Sequence, residues 1–385
     1  MRTHRVCLFL AAVMLLLVAL PGATAARIVP SNTLHLKQLR HAAAAKITEL
    51  KAALGHEAKS EVESVRDVFH EWTLKHGKTY DSEEEKELRM RIFADNHAFV
   101  ARHNAEYEKG EHTHFVGLNH LADLTKDEFK RMLGYDRTLR APRAPVDAST
   151  WEYADVTPPE TIDWVAEGAV TPVKNQKQCG SCWAFSTTGA VEGANFLKTG
   201  ELVSLSEQQL VDCDHTCDPK HPRNCDYGCN GGLPLNAMRY VQKNGLDTET
   251  DYPYHAVDGK CASKKNGPPV ASVSAFNLVS TDEAQIAAAL VKHGPLSIGI
   301  DAAWMQTYVG GVACPWLCNK DALDHGVLIV GYGEEGFAPA RLHKEPYWVI
   351  KNSWGMGWGE EGYYRICKDK GNCGVNNMVV AALNE

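Results

Sequence analysis

The stretch Gln176-Lys177-Gln178-Cys179-Gly180-Ser181-Cys182-Trp183-Ala184-Phe185-Ser186 carries the clearest chemistry in this chain. A Gly-Ser turn delivers Cys182 to the start of an apolar segment, Trp183 to about Leu197, that reads as a helix. A thiol at a helix N-terminus meets unpaired backbone N–H groups and the positive end of the dipole, which favour the nucleophilic thiolate. Such a nucleophile needs a base, a group that orients the base, and donors for an oxyanion. His325 stands at the mouth of an apolar run, Val327 to Val330, that reads as a buried strand. Asn352 follows a second such run, Tyr347-Trp348-Val349-Ile350, and offers a side-chain amide to orient His325 beneath Trp354. Gln176, six residues before Cys182, and the Cys182 backbone N–H are candidate donors for the oxyanion.

Alone, the stretch leaves two readings open, because Cys179-x-x-Cys182 also fits a thioredoxin-like redox pair. Cys179-Gly180-Ser181-Cys182-Trp183 resembles the active-site signature of papain and the cathepsins. Asp324-His325-Gly326 and Asn352-Ser353-Trp354-Gly355 match that family in order and context. His325 lies 143 residues beyond Cys182, within the family's span of about 130 to 150. Asn352 lies 170 beyond; the excess falls in Glu334 to Glu345, read as a loop, and in Cys217 to Cys225, both taken as surface insertions. The redox reading uses none of His325, Asn352 or Gln176, and it falls away.

The resemblance implies a cysteine endopeptidase. Cys182 and His325 form a thiolate-imidazolium pair, as in papain, whose strongly depressed cysteine pKa is a standard example of that pairing. The thiolate attacks a peptide carbonyl, His325 protonates the leaving amine, and water hydrolyses the acyl-enzyme. By family position Gly231 and Gly232 hold the substrate backbone. Leu233, Pro234, Gly299, Leu323, Gly326 and Met378 line the pocket for the residue two before the scissile bond, with Asp324 and Trp354 also at the site. That pocket carries no charge, so Leu, Val or Phe is expected there rather than Arg. The resemblance also implies bridges Cys179–Cys229, Cys213–Cys261 and Cys318–Cys373, with Cys217–Cys225 and Cys314–Cys367 the simplest pairing of the rest. This enlarged set looks most like the cathepsin F-like plant vacuolar enzymes. No metal or other cofactor is expected: Cys225-x3-Cys229 and Cys314-x3-Cys318 are not followed by ligands at zinc spacing.

The elements that must position these residues begin well upstream. Met1 to Ala25 has a basic start, an apolar run and an Ala-x-Ala site, which is a secretory signal too short to span a bilayer. Residues 26–60 favour helix by propensity and carry no assigned function. Val65, Val68, Phe69 and Trp72 fall at helical spacing, ending near Gly77. A second helix, about Ser82 to Tyr107, places Leu88, Ile92, Phe93, Asn96, Phe99, Val100 and His103 on or near one face. Its Glu85-x3-Arg89-x3-Phe93-x2-Asn96-x3-Val100-x3-Asn104 pattern is similar to the prosegment motif of cathepsin L-like and F-like zymogens, with Val100 for the usual Ile. Gly117-x-Asn119-x-Leu121-x-Asp123 resembles their second motif, with Leu121 for the usual Phe. The Pro- and Ala-rich stretch that follows reads as an exposed processing linker.

The expected organisation is therefore a signal peptide (1–25), an inhibitory prosegment (26–135, core about 65–125), a processing linker (136–157) and a papain-like peptidase domain (158–385). The fold class is α+β: a helical domain led by the Cys182 helix, a β-barrel-like domain bearing His325 and Asn352, and the active-site cleft between them. A catalytically silent binding protein on the same fold would be expected to lack the nucleophile or its base, and both are kept.

The 385-residue chain is long enough for this plan, and its net charge of −8 resides wholly beyond Thr157. An acidic surface argues against nucleic-acid partners. A monomer without a membrane anchor, acting on protein or peptide substrates and inhibited by its own prosegment, is the expectation. The family places it in a lysosome or vacuole, with secretion second. Ten of the 17 histidines lie between Arg27 and Thr157. Any of His70, His97, His103 or His120 that is buried neutral would make acid release the prosegment.

Overall fold

The computed structural model describes residues 65–133, 153–263, 269–315, 317–338 and 341–384, with backbone alone at 335–338 and 341–343. The expected signal peptide, the segment 26–60 read as helix-prone and most of the expected linker lie outside the described residues. No helix among the described residues is long and apolar enough to cross a membrane.

Helix α1 (Val65–His76) buries Phe69 and Trp72, which pack on Phe93 of α2 (Glu83–Glu108) at ring separations of 5.3 and 5.0 Å. Ser82 caps α2 by accepting from the Glu85 N–H, and the acidic first turn complements the helix dipole. The buried face differs from the expected one. It comprises Phe93, Val100, His103, Asn104 and Tyr107, while Leu88 is exposed. The opening turns are instead tethered through the Arg66–Glu87 ion pair, because α2 turns its C-terminal half towards a strand the sequence did not reveal.

That strand is β1 (His114–Val116). It pairs antiparallel with β7 (Tyr308–Ala313), so the upstream segment extends the downstream sheet. The motif polar residues are structural ties rather than a solvated face. Arg89 binds Glu128 at 2.8 Å, Asn96 donates to the Ala122 and Leu124 carbonyls, and Asn104 exchanges two hydrogen bonds with Val116. Asn119 donates to the Gln306 carbonyl, and Asp123 holds Lys78 and Tyr80. A short helix, α3 (Lys126–Met132), follows, started by a Thr125/Glu128 capping box.

The histidine expectation is corrected in part. His103 is buried and His120 half-buried; burial pushes both down to about 4. His70 is exposed and His97 only half-buried. His114, in β1, is the residue that was missed: it is buried and held well below the usual imidazole range.

The main sheet runs in the order β1, β7, β10 (Tyr363–Cys367), β9 (Arg341–Lys351), β8 (His325–Ala338), β6 (Leu296–Ile300), β11 (Val379–Leu383), β5 (Ala275–Leu278), with β2 (Ile162–Asp163) on β8. It is a mixed sheet, consistent with the expected α+β fold: β7 and β10 are parallel and the other pairs antiparallel. The described residues of Glu334 to Glu345, read as a loop, continue the pairing of β8 with β9, with Glu334 opposite Pro346 and Ala338 opposite Arg341. Cys217 to Cys225 forms a two-stranded ribbon, β3 (Cys217–Asp218) with β4 (His221–Cys225).

Helix α4 (Cys182–Thr199) lies on β8. A Cβ at Gly189 would come within 2.7 Å of Leu328, so glycine permits the close approach. Alternation along β8 sends Leu328 and Val330 into one buried cluster, with Trp183 and Met238, and Val327 and Ile329 into another, with Trp348 and Trp358. The second cluster also takes Leu121, Phe129, Met132 and Leu133 from upstream. Helices α5 (Glu207–Cys213), α6 (Pro234–Asn244) and α7 (Glu283–His293) complete the body. The five expected bridges are present: Cys179–Cys229, Cys213–Cys261, Cys217–Cys225, Cys314–Cys367 and Cys318–Cys373. Among the described residues Cys182 is the free cysteine.

Candidate active site

Cys182 opens α4, and its Sγ accepts from the Gly326 N–H at 3.2 Å. Its own hydrogen points elsewhere: the thiol donates to the Leu133 carbonyl at 2.8 Å. Burial pushes this thiol up to about 12, against the opposing pull of the Gly326 and Trp183 N–H groups.

His325 is the first residue of β8, and β9 brings Asn352 alongside it. The imidazole Nε2 lies 2.8 Å from Asn352 Oδ1; since an amide oxygen only accepts, Nε2 is the protonated nitrogen. Nδ1 is buried and has no hydrogen-bond partner of good geometry, although the Leu133 carbonyl faces the ring. Trp354 stacks on the imidazole at 4.8 Å, and the edge of Phe129 meets Trp354 at 5.4 Å. Burial takes His325 down to about 4, and the Asn352 hydrogen bond only partly offsets it.

Gln176 is fully buried beside them. Its Nε2 donates to the Cys179 carbonyl at 3.0 Å and to the Met132 carbonyl at 3.3 Å. Its Oε1 accepts from Ser353 Oγ at 2.6 Å, which fixes the direction of the amide. Two consecutive carbonyls of the upstream segment, Met132 and Leu133, therefore lie across Gln176, Cys182 and His325.

The other expected positions are also accounted for. Gly299, Leu323 and Met378 meet, since a Cβ at Gly299 would come within 2.9 Å of both neighbours. Leu233 and Pro234 are buried at the start of α6. At Gly326 a Cβ would stand 3.1 Å from the Cys182 carbonyl. Asp324 is engaged in the fold, its Oδ1 accepting from the Ala302 N–H. Gly231 has φ +114, and Gly232 is wedged against the Trp183 indole. Four participants escaped sequence reasoning. Ser353 stands inside the Asn352-Ser353-Trp354-Gly355 motif, but its bond to Gln176 was not foreseen, and Tyr254, whose hydroxyl donates to the Gln176 carbonyl, carries no motif signal. Met132 and Leu133 lie past the prosegment core set at 65–125.

The model of the papain family cysteine proteases matches residues 158–383. The chain belongs to the papain family. The cathepsin propeptide inhibitor domain (I29) matches residues 69–129, so this papain-family cysteine protease, a hydrolase, is made as a zymogen. It is 51% identical over 317 residues to Cysteine proteinase 15A of Pisum sativum, covering 81% of this chain and 84% of that one. It is 42% identical over 330 residues to Cathepsin L of Sarcophaga peregrina, covering 83% and 93%. Among solved structures, digestive procathepsin L 3 of the Tenebrio molitor larval midgut superposes with a TM-score of 0.73 at 36% identity, covering 84% of this chain and 100% of that one. The two carbonyls over Cys182 follow directly on the propeptide match.

Proposed function

We propose that this protease is an endopeptidase in which Cys182 is the nucleophile and His325 its acid-base partner. Asn352 orients the imidazole, and Gln176 with the Cys182 backbone N–H stabilises the oxyanion. The observation that supports this reading best is the peptide backbone already lying on those residues: the Leu133 carbonyl accepts from the Cys182 thiol and the Met132 carbonyl from Gln176. A site that takes a peptide main chain there has the shape its substrate requires.

Removal of the prosegment admits water and takes away the carbonyl that holds the neutral thiol. Cys182 then transfers its proton to His325, and the thiolate attacks the substrate carbonyl. His325 returns the proton to the leaving amine, and water releases the acyl group. Processing falls in 136–157 and leaves a peptidase domain from about residue 158. The signal segment directs the chain through the secretory pathway to a lysosome, vacuole or the exterior.

Gly299, Leu323, Met378, Leu233, Pro234 and Gly326 bound an uncharged pocket for the residue two before the cut, and Met378 closes it with a flexible apolar chain. A peptide library presented to the processed enzyme should be cut after sequences with Leu, Val or Phe at that position, and Cys182→Ala should abolish cleavage. Preference for Arg there would refute the pocket assignment; cleavage retained by Cys182→Ala would refute the mechanism.

A further inference from the structure

Two carboxyls that the cleavage chemistry does not use lie beneath the Gly231–Gly232 wall. Asp214 follows α5 and Asp226 follows the ribbon, and both are fully buried. Asp214 Oδ1 accepts from the Thr216 N–H at 2.9 Å, while the Asp226 N–H donates to the Thr216 carbonyl at 3.0 Å. Asp226 Oδ1 accepts from the Leu233 N–H at 2.7 Å and from Asn236 Nδ2 at 3.3 Å. Each residue's Oδ2 is buried and has no donor, and Thr216 joins the two, its N–H held by the Asp214 carboxyl and its carbonyl by the Asp226 N–H; the two carboxyls interact with one another.

Two ionised carboxylates do not share such a place, because burial and mutual repulsion both disfavour the second charge. No cation among the described residues is ion-paired with either. The titratable neighbours are His215 on the same loop, Tyr240 on α6, and Arg239, which donates to the Asn236 that binds Asp226. A single proton shared by the two carboxyls would relieve both.

We infer that Asp214 and Asp226 hold one proton between them, and that this shared proton positions the substrate wall. The inference rests on the reading of the cleft given above. Asp226 is a positioning residue: its Oδ1 fixes Leu233 and lies against Gly232, where a Cβ would approach it to 2.8 Å and the Trp183 ring to 2.6 Å. Trp183 adjoins Cys182 and donates through Nε1 to the Gly228 carbonyl at 3.1 Å. When the proton leaves to solvent, a second buried charge appears and the two carboxylates separate. Leu233 and Gly232 move with Asp226.

The direction with pH follows from linkage. Both carboxyls are held above the usual range by burial, Asp226 also by its partner's charge. The folded chain therefore keeps a proton that an unfolded Asp gives up at about 3.9. That contribution is complete below about pH 4 and declines as pH rises through the raised folded-state value.

Asp214→Asn and Asp226→Asn test this, since an amide N–H supplies at every pH the hydrogen that the pair holds only in acid. Each full-length chain is allowed to process itself, titrated for Cys182 thiol, and measured on a Leu-containing peptide from about pH 4 to pH 8. For the parent, KM should rise about tenfold towards the alkaline end, with kcat changed less; both variants should flatten that rise. In uncut zymogens carrying Cys182→Ala, the thermal midpoint should fall less with rising pH in the Asn variants than in the parent. Variants that keep the parental pH dependence of KM and midpoint would overturn the inference. A chain that never labels at Cys182 would instead overturn the catalytic reading, and the thermal comparison would still decide the pair. If neither variant folds, infrared absorption of a protonated carboxyl in the parent zymogen decides. Persistence well above the ordinary value of about 4, in a zymogen that also carries Glu207→Gln to remove the other buried carboxyl held up to about 7, supports the pair, and its absence refutes it.

Discussion

Cys182 and His325 are both uncharged in the zymogen, although the proposed cleavage needs a thiolate and an imidazolium. Burial lifts one to about 12 and lowers the other to about 4, and the Leu133 carbonyl accepts from the thiol only in its neutral form. The prosegment thus withholds the charges as well as the space. Gln176 belongs to the same argument, for Ser353 Oγ aims its amide so that Nε2 faces the carbonyl lying over the site. Gln176→Ala in the processed enzyme should lower kcat by about 10²–10³ with KM little altered, as for loss of an oxyanion donor; steady-state kinetics check it. At this scale much was legible, because the Cys182 turn, Asp324-His325-Gly326 and the Asn352 motif are local signatures. The role of Ser353 was not, since a hydroxyl that orients a distant amide leaves no periodic or compositional trace of that task.

The prosegment elements divide along the same line. Helices α1 and α2 follow from apolar spacing, caps and breakers, all local. Strand β1 has three residues and finds its partner some 190 positions away at β7; no alternation of that length separates strand from loop. The 334–345 stretch failed for the opposite reason: its charges and its Gly and Pro suggest a loop, while register with β9 carries the pairing on. The strand also decides which histidines matter. His114 Nε2 is buried without a partner, His103 packs beside it at 4.7 Å and bonds its carbonyl, and His112 stacks on His103 at 4.0 Å while binding Glu106. A histidine lowered on folding stabilises fully above its unfolded value of about 6.5 and loses that contribution as pH falls through the folded one. His103 and His120, at about 4, mark the lower end of that window. The triple replacement of His103, His114 and His120 by Gln should therefore shift self-processing to lower pH, followed as band conversion against pH. An unchanged profile would show that these histidines do not govern release.

Across the whole molecule the two parts are held by different means. All five bridges lie beyond residue 178, whereas the described prosegment depends on packing, on Phe129, Met132 and Leu133 entering the Trp348 cluster, and on β1 along the sheet edge. A segment held by noncovalent contacts, without a bridge, can leave without disturbing the cross-linked body. Cys179–Cys229 keeps the Cys182 turn tied to the Gly231–Gly232 wall while it does so. The most direct measurement is alkylation by an epoxide that reacts with catalytic thiols, mapped on the chain before and after prosegment removal. The account predicts no modification of the intact zymogen and one label per processed chain, at Cys182, with complete loss of hydrolysis. Labelling elsewhere, equal labelling of the intact zymogen, or hydrolysis that survives full modification of Cys182 would contradict it.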